Sequence, residues 1–407
     1  MFNESFSTYT NLRYFKFKFL IILTMMSVSG LIASDIYLPA MPLMGQYFKI
    51  SSHATQLTIS IYLFGLGVGQ LILGPISEVY GRRKLSIICM ILFATASLAC
   101  ALSNNYYVFM GFRLCQAIGS CAGLVIGRAI IGDMCPTKDA AKVYATIFPF
   151  VGMSPAISPF LGGYISTYLG WRYTFIFLAI FALLMLVMFW KNIPETHKDR
   201  TPTTLKIQLI VKNYIAVLLN RNFIAYASAP CFAYIAYFAY ITQSPFIFST
   251  MGYRTDQIGF FYITLSLTYV IGNLISKKMI VYKSIDNTLK YGYLIFISGG
   301  ILIALVALFP HQLLGVLIAI SVLTMGNGFL IPMGSAGAVS ACPSNRGYAS
   351  GLLGFFQLVV ASTSASLIGP FSSNKISCMG IYILFVTIFG GLIYLLFKYK
   401  PACCKVV

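Results

Sequence analysis

The sequence contains few charged residues, and those few are mostly basic. Only 9% of its 407 residues are charged, whereas 58% are hydrophobic. An ordinary soluble surface needs about a quarter charged residues, so this composition excludes a typical soluble domain. The 28 basic residues outnumber 9 acids and give a net charge of +19. Because basic residues collect on one side of membrane proteins, we expect a lipid bilayer, and no nucleic acid, as the partner of this charge.

The sequence also lacks the clusters that metal sites and enzymes require. Its three histidines, His53, His197 and His311, lie far apart, and the ten cysteines form no CxxC pair or Cys/His cluster. No nucleotide-binding loop, zinc motif or G-x-S-x-G sequence is present. We therefore predict no metal, no cofactor and no enzymatic activity.

Long apolar stretches take the place of these motifs. A membrane-spanning helix needs about 20 mostly apolar residues. Stretches of this kind lie at 18–41, 54–76, 85–103, 106–131, 142–166, 171–190, 222–248, 257–276, 290–309, 312–333, 348–369 and 377–398. We predict an all-α polytopic membrane protein with twelve transmembrane helices in two six-helix halves, residues 1–190 and 222–407, joined by a cytoplasmic linker at 191–221.

The distribution of Lys and Arg predicts the orientation. If the N-terminus is cytoplasmic, 22 of the 28 basic residues fall in cytoplasmic segments and four fall in outer loops. The remaining two, Arg113 and Arg128, lie within the fourth span. This bias predicts that both termini are cytoplasmic.

The loop after the second span reads GPISEVYGRRK, from Gly74 to Lys84. Gly74 and Gly81 permit close backbone approach and unusual dihedral angles. Glu78 and Arg82 have the spacing of an ion pair at the membrane edge. A simple basic loop is the alternative interpretation.

Two later spans carry polar or small residues at helical spacing. In the fourth span, Arg113, Gln116 and Ser120 share one face, and a buried arginine must face the bundle interior or water. The role of Arg128 stays open between structural and functional. In the fifth span, small residues and prolines form a stripe that predicts either a tight helix packing interface or a functional motif: Gly152, Pro155, Pro159 and Gly163.

These motifs resemble those of the major facilitator superfamily. The GPISEVYGRRK loop is similar to its signature loop, in which an acid latches one conformation, although Glu78 stands where Asp is usual. The fourth span is similar to its R-x-x-Q-x-x-G motif. The fifth span, including Gly162, is similar to the antiporter motif of its drug–proton antiporters.

Further stretches resemble the bicyclomycin-resistance/CflA subfamily: SDIYLPAMP, GRAIIGD, SPFLGGYI, IPET, GFLIPMGSAGAVS and GYASGLLGFFQ. The resemblance implies proton-coupled efflux of small amphipathic drugs or toxic compounds by alternating access. It also implies a monomer in the bacterial inner membrane with the proton as coupling ion.

Asp35 is the one acid placed well inside a predicted span. An acid in hydrocarbon is expensive and is a functional candidate by default. At 1.5 Å per residue, Asp35 and Arg113 both lie about 10 Å below the outer membrane surface. We predict that Asp35 and Arg113 couple proton binding to transport, and the alternative is a static bridge that only orients helices.

Aromatic and amide side chains in the spans supply candidates for the substrate cavity, because rings stack on amphipathic compounds and attract cations. Together with one residue of the fourth span they are Gln116, Tyr234, Tyr237, Tyr240, Gln243, Asn327 and Gln357. Packing and lipid contact are the alternative roles. Export of a natural metabolite such as a peptide or siderophore, symport, a membrane-embedded enzyme and a passive scaffold or receptor are the competing functions.

Overall fold

The computed structural model describes residues 13–135, 137–196, 207–309, 313–343, 345–372 and 376–399. Helices, turns and short irregular segments account for these ranges, which contain no β-strand. Eleven helices in them are long and apolar enough to cross a membrane. The prediction of an all-α polytopic membrane protein is confirmed.

The chain forms two compact units. One comprises Met1–Leu205 with Tyr253–Tyr262, and the other comprises Lys206–Gly252 with Ile263–Val407. The first part of the chain contains α1 (Arg13–Asp35), a 3-10 turn (Leu38–Ala40), α2 (Met41–Phe48), α3 (Ser52–Tyr80), α4 (Arg82–Leu102), α5 (Tyr106–Met134), α6 (Thr137–Tyr168) and α7 (Arg172–Asn192). The second part contains α8 (Ile207–Leu218), α9 (Arg221–Thr250), α10 (Thr255–Tyr282), α11 (Ile285–Val306), α12 (Leu313–Ser340), α13 (Arg346–Ser372) and α14 (Ile376–Tyr399).

The predicted fifth span corresponds to α6. This helix is 32 residues long and contains three prolines, Pro149, Pro155 and Pro159. It is not among the eleven helices that qualify by both length and apolar composition. At 1.5 Å per residue it spans about 48 Å, which is long enough to cross a bilayer with the other eleven.

The first span is interrupted directly after Asp35. In a continuous α-helix the carbonyl of Asp35 would accept a hydrogen bond from the N–H of residue 39, but Pro39 has none. The helix α1 therefore ends at Asp35, and a 3-10 turn with Pro39 near its start leads into α2. The prolines of the SDIYLPAMP segment thus place Asp35 at a break between two helices.

Polar caps fix where several of the other helices begin. The Ser51 side chain accepts a hydrogen bond from the N–H of Ala54 (3.1 Å), and Asn105 accepts from Tyr107 (2.8 Å) and Val108 (3.3 Å). Such caps satisfy backbone donors that have no partner inside the helix, each contributing about 1 kcal/mol. They allow short connections between long spans.

Close backbone contacts bring α1 against its neighbours in the first unit. A Cβ on Gly123 of α5 would stand 1.9 Å from the carbonyl oxygen of Met26. In the second unit, a Cβ on Gly272 of α10 would stand 2.2 Å from the carbonyl oxygen of Met325 on α12. In both cases the absence of a side chain on the glycine lets the backbones of two helices approach each other closely.

Candidate functional site in the first unit

Asp35 lies at the C-terminal end of α1 and is 2% exposed. Its Oδ1 atom accepts a hydrogen bond from the Ser34 hydroxyl at 2.6 Å. The Ser34 hydroxyl also lies 2.8 Å from the carbonyl oxygen of Leu31. Within the described residues no cation forms an ion pair with Asp35, so this buried carboxyl group has a neutral hydroxyl as its hydrogen-bond donor.

Arg113 lies on α5 and is fully buried. Its Nη1 donates to the carbonyl oxygen of Ala33 at 3.2 Å and to Gln116 Oε1, and its Nε donates to the carbonyl oxygen of Thr58 at 3.5 Å. Its Nη2 has no hydrogen-bond partner in the part of the chain that the structure describes. Nη2 is thus the nitrogen from which the guanidinium can donate to a further acceptor group.

Aromatic rings offset part of the cost of burying this cation. The Cζ atom of Arg113 lies 4.1 Å from the ring centroid of Tyr62, 4.4 Å from that of Tyr37 and 5.7 Å from that of Phe175. A desolvated cation–π contact stabilises by about 2 kcal/mol. The Arg113 guanidinium is thus surrounded by aromatic rings and neutral oxygens.

Asp35 and Arg113 lie near each other without pairing. Arg113 contacts α1 through the carbonyl of Ala33, two residues before Asp35. Residues two apart on an α-helix point about 200° away from each other, which is why the contact at Ala33 does not bring in the Asp35 side chain. The static bridge considered as an alternative is not formed in this structure.

A buried polar network lies around Arg113 and links α1, α3, α4 and α5. Gln116 Nε2 donates to the Ser97 hydroxyl at 2.8 Å. The Tyr62 hydroxyl donates to the carbonyl oxygen of Gly30 at 2.9 Å and lies 2.8 Å from the Ser120 hydroxyl. The shared face predicted for Arg113, Gln116 and Ser120 therefore points into one hydrogen-bonded cluster.

Tyrosine side chains in this cluster were not identified from the sequence. The Tyr37 hydroxyl lies 3.1 Å from the Thr58 hydroxyl, and both Tyr37 and Tyr62 are fully buried. Each lies in an apolar stretch, where a tyrosine has the same sequence pattern whether it packs or contacts a charge. Only the position of Tyr37 two residues after Asp35 could have drawn attention to it.

The antiporter-like segment of α6 packs directly beside Asp35. A Cβ on Gly162 would stand 1.5 Å from the carbonyl oxygen of Ile36. A Cβ on Gly163 would stand 2.6 Å from the carbonyl oxygen of Thr255, and one on Gly259 would stand 2.5 Å from the carbonyl oxygen of Pro159. This part of the predicted stripe thus makes two close helix contacts.

The other end of the stripe differs. A Cβ on Gly152 would have no heavy atom within 4 Å, and Pro155 is half-buried. The packing interface expected from Gly152 to Gly163 is therefore tight at Pro159–Gly163 and open at Gly152.

Arg82 at the start of α4 makes its closer ion pair with Asp133 and not with Glu78. The Nε of Arg82 lies 3.2 Å from Asp133 Oδ2, while its Nη2 lies 3.8 Å from Glu78 Oε1. The Glu78 side chain is 65% exposed. The expected Glu78–Arg82 pair is present, but exposure to solvent makes such a pair weak.

Glu195 completes the cluster at the start of α4. Its Oε1 accepts from the backbone N–H of Arg82 at 2.9 Å, and its Oε2 accepts from that of Arg83 at 3.2 Å. A carboxylate at a helix N-terminus satisfies free backbone donors and interacts favourably with the helix dipole. Glu195 and Asp133 belong to the IPET and GRAIIGD segments, whose functional acids the sequence analysis had not singled out. Gly81, at the turn before α4, has a φ of 93°, which favours glycine.

The predicted cavity residues of the second unit do not share one environment. Tyr240 and Gln243 are fully buried, and Asn327 is 2% exposed. Three others, Tyr234, Tyr237 and Gln357, are half-buried. Tyr237 and Tyr240 are three residues apart on α9, yet only Tyr237 keeps partial exposure, so their spacing alone does not define an open face.

A polar cluster joins three helices of the second unit around Asp286. Its Oδ1 accepts from the hydroxyls of Tyr226 (2.8 Å) and Tyr394 (3.1 Å), and Lys398 Nζ lies 3.1 Å from the same oxygen. These residues lie at the start of α9, the end of α14 and the start of α11.

Comparison with known proteins identifies relatives over almost the whole chain. The family described as Major Facilitator Superfamily matches residues 20–365. A bicyclomycin resistance protein homolog from Haemophilus influenzae is 24% identical over 364 residues, which cover 89% of this chain and 92% of the relative. A chloramphenicol resistance protein from Pseudomonas aeruginosa is 29% identical over 325 residues, which cover 77% of this chain and 73% of the relative.

The fold also matches a solved structure. A partially occluded, inward-open structure of the xylose transporter XylE from E. coli aligns with a TM-score of 0.73 at 14% identity, covering 97% of this chain and all of that chain. The likeness confirms the predicted fold class of twelve transmembrane helices in two halves.

Proposed function

Because this chain belongs to the Major Facilitator Superfamily, a family of transporters, we propose that it exports small amphipathic compounds in exchange for protons. The observation that carries the proposal is the burial of Asp35 and the kind of group that it contacts. Among the acids whose side chains are described, it is the most buried, and it has no cationic partner. The charge of such a carboxyl group depends on its surroundings, because burial and nearby charges both act on it.

The geometry around Asp35 supports a coupling cycle. In the proposed cycle Asp35 is protonated in the present arrangement, where the Ser34 hydroxyl, a neutral group, is its hydrogen-bond donor. Arg113 retains an unpartnered Nη2 in the same region. A rearrangement at the helix break after Asp35 that joined the carboxyl group to this Nη2 would favour proton release, because a nearby cation stabilises the carboxylate.

The direction and the class of substrate rest on the relatives. Their names concern resistance to two different antibiotics, bicyclomycin and chloramphenicol, and drug export is the simplest basis for such resistance in a transporter. The location in the proposal is the bacterial inner membrane, because these relatives are bacterial. Both termini are cytoplasmic in it, because this orientation puts 22 of the 28 Lys and Arg residues on the cytoplasmic side.

Inside-out membrane vesicles that contain the protein test this function. Their lumen is made acidic, and the lumenal pH is followed with a dye while candidate substrates, including chloramphenicol, are added outside. Antiport predicts that a substrate enters the lumen and makes it less acidic at the same time. Substrate entry without proton movement would contradict coupling. In vesicles preloaded with substrate, exit of the substrate together with protons would indicate symport.

A further inference from the structure

Helix α8 lies between the two membrane spans α7 and α9, and one of its sides packs against α13 of the same unit. Val217 is 1% exposed, and the ring of Tyr214 meets the ring of Tyr348 on α13 edge to face at 5.2 Å. Just beyond α8, Asn220 donates from Nδ2 to the carbonyl oxygen of Ala341 at 2.9 Å. These contacts hold the helix in a fixed orientation.

The side of α8 that adjoins this packed side carries an exposed apolar stripe. Val211 is 48% exposed, Ile215 49%, Leu218 36% and Leu219, directly after the helix, 79%. Their spacing of four, seven and eight residues from Val211 places them on one side of a helix. Because Tyr214 and Val217 already occupy the packed side, the stripe is a separate surface.

The position of α8 along the chain places this stripe at the membrane boundary. The helix ends at Leu218, and the membrane span α9 begins at Arg221. The Asn220 side chain caps α9 by accepting from the N–H groups of Asn222 (3.0 Å) and Phe223 (3.2 Å). Because only Leu219 and Asn220 separate the two helices, the C-terminal end of α8 lies at the depth where α9 enters the bilayer.

Charge beside the stripe is positive throughout. Lys212 is exposed and follows Val211 directly, and Arg346 is exposed two residues before the Tyr348 that packs on α8. The sequence from residue 207 to 222 contains no acid. Apolar residues flanked by basic ones are the composition of helices that lie in the interface of membranes with anionic lipids.

We propose that α8 is an interfacial helix that docks on the cytoplasmic leaflet of the bilayer. Val211, Ile215, Leu218 and Leu219 insert among the upper parts of the acyl chains, and Lys212 contacts the phosphate of anionic headgroups. The stripe is then covered by lipid, and α8 connects the second unit to the plane of the membrane. This surface is independent of Asp35 and of the transported compound.

Photocrosslinking of the full-length chain in lipid nanodiscs tests the proposal. A benzophenone amino acid replaces Ile215 in one variant and Val211 in another, and the exposed Ala216 serves as the matched control because it lies about 100° around the helix from Ile215. After irradiation, mass spectrometry identifies what each position has captured. Thermal unfolding of each variant verifies that it is folded.

We expect lipid adducts at positions 215 and 211 and several times fewer at 216. In nanodiscs that contain phosphatidylglycerol, Lys212→Glu should lower the yield of phosphatidylglycerol adducts at 215 by about fivefold or more, because one basic residue near an anionic surface contributes about that factor. Capture of another segment of the chain at 215, equal lipid capture at 215 and 216, or the absence of lipid adducts at 215 and 211 would each overturn the proposal.

Discussion

Asp35 and Arg113 occupy the same buried region of the first unit, yet each is bonded to a neutral group. Arg113 donates to the carbonyl of Ala33, and Asp35 accepts from the hydroxyl of Ser34. Arg113 contacts α1 two residues before Asp35. A small rearrangement of α1 could therefore bring the Asp35 carboxyl group to the Arg113 guanidinium. The helix break caused by Pro39 lies where such a rearrangement would occur.

Replacement of Arg113 by Lys should strongly reduce transport. Arg113 uses a planar fork to reach Ala33, Thr58 and Gln116 while it contacts two tyrosine rings, and an ammonium group cannot reproduce this geometry. We expect a loss of about tenfold or more in transport rate, which corresponds to about 1.4 kcal/mol. Initial rates in proteoliposomes measure the effect. Arg128→Lys is the matched control, because Arg128 lies on the same helix and is exposed; equal rates in the two variants would refute the special role of the Arg113 guanidinium.

A methyl group at position 162 should destabilise the first unit, whereas one at position 152 should not. Gly162→Ala forces a Cβ into the carbonyl of Ile36, while Gly152→Ala places it in open space. Overpacking costs about 1–3 kcal/mol, and Ala in place of a helical Gly stabilises by about 0.5–1 kcal/mol. Thermal unfolding in detergent compares the two variants, and an equal or higher unfolding temperature for Gly162→Ala would contradict the close contact.

The acid that stabilises the start of α4 should be Glu195 and not Glu78. Glu195→Gln replaces a carboxylate that accepts hydrogen bonds from two backbone N–H groups with a neutral amide. We therefore expect the free energy of unfolding to fall by about 1 kcal/mol or more and turnover to slow. Glu78→Gln changes a side chain that is 65% exposed and should have a smaller effect on both quantities. Unfolding temperature and turnover decide between them, and the reverse order would show that the Glu78–Arg82 pair is the functional latch.

The cluster around Asp286 should behave as one coupled unit. A double-mutant cycle with Asp286→Asn and Lys398→Met measures the interaction between the two side chains, which are partly exposed. Because solvent screens such a pair, we expect a coupling of about 0.5–1 kcal/mol. Tyr394→Phe removes a hydroxyl that donates to Oδ1 of Asp286. We expect the coupling between Asp286 and Lys398 to be smaller in this variant than in the wild type. Strictly additive effects of Asp286→Asn and Lys398→Met would contradict direct coupling.

The sequence predicted the helices well because a lipid environment imposes a strong constraint on composition. A stretch of about 20 apolar residues has few structural alternatives in a bilayer, so the predicted spans agree closely with the observed helices. The first span differs at its end. The predicted stretch ended at residue 41, but after the break at Pro39 the chain continues in a short helix, so the observed span reaches Phe48. Proline interrupts the hydrogen bonds of a helix locally, and the chain can still remain in the membrane.

The contacts of individual side chains could not be predicted in the same way. Depth along a helix can be counted from the sequence, and it correctly placed Arg113 near the end of α1. The rotation of each helix about its axis depends on packing against neighbours, and it decides that Arg113 meets Ala33 and not Asp35. Glu195 reaches Arg82 across 113 positions of sequence, a distance at which local patterns carry no information.

The proton-carrying role of Asp35 is tested most directly by simultaneous measurement of proton and substrate fluxes. Wild type, Asp35→Asn and Asp35→Glu are reconstituted in proteoliposomes with an internal pH dye and a fluorescent amphipathic substrate. Asn represents the permanently neutral side chain, so Asp35→Asn should lose uphill transport and substrate-dependent proton movement while it keeps its fold and downhill exchange. Asp35→Glu should retain part of both fluxes. If Asp35→Asn still drives substrate uphill with protons moving in step, the coupling group lies elsewhere and the account of Asp35 is wrong.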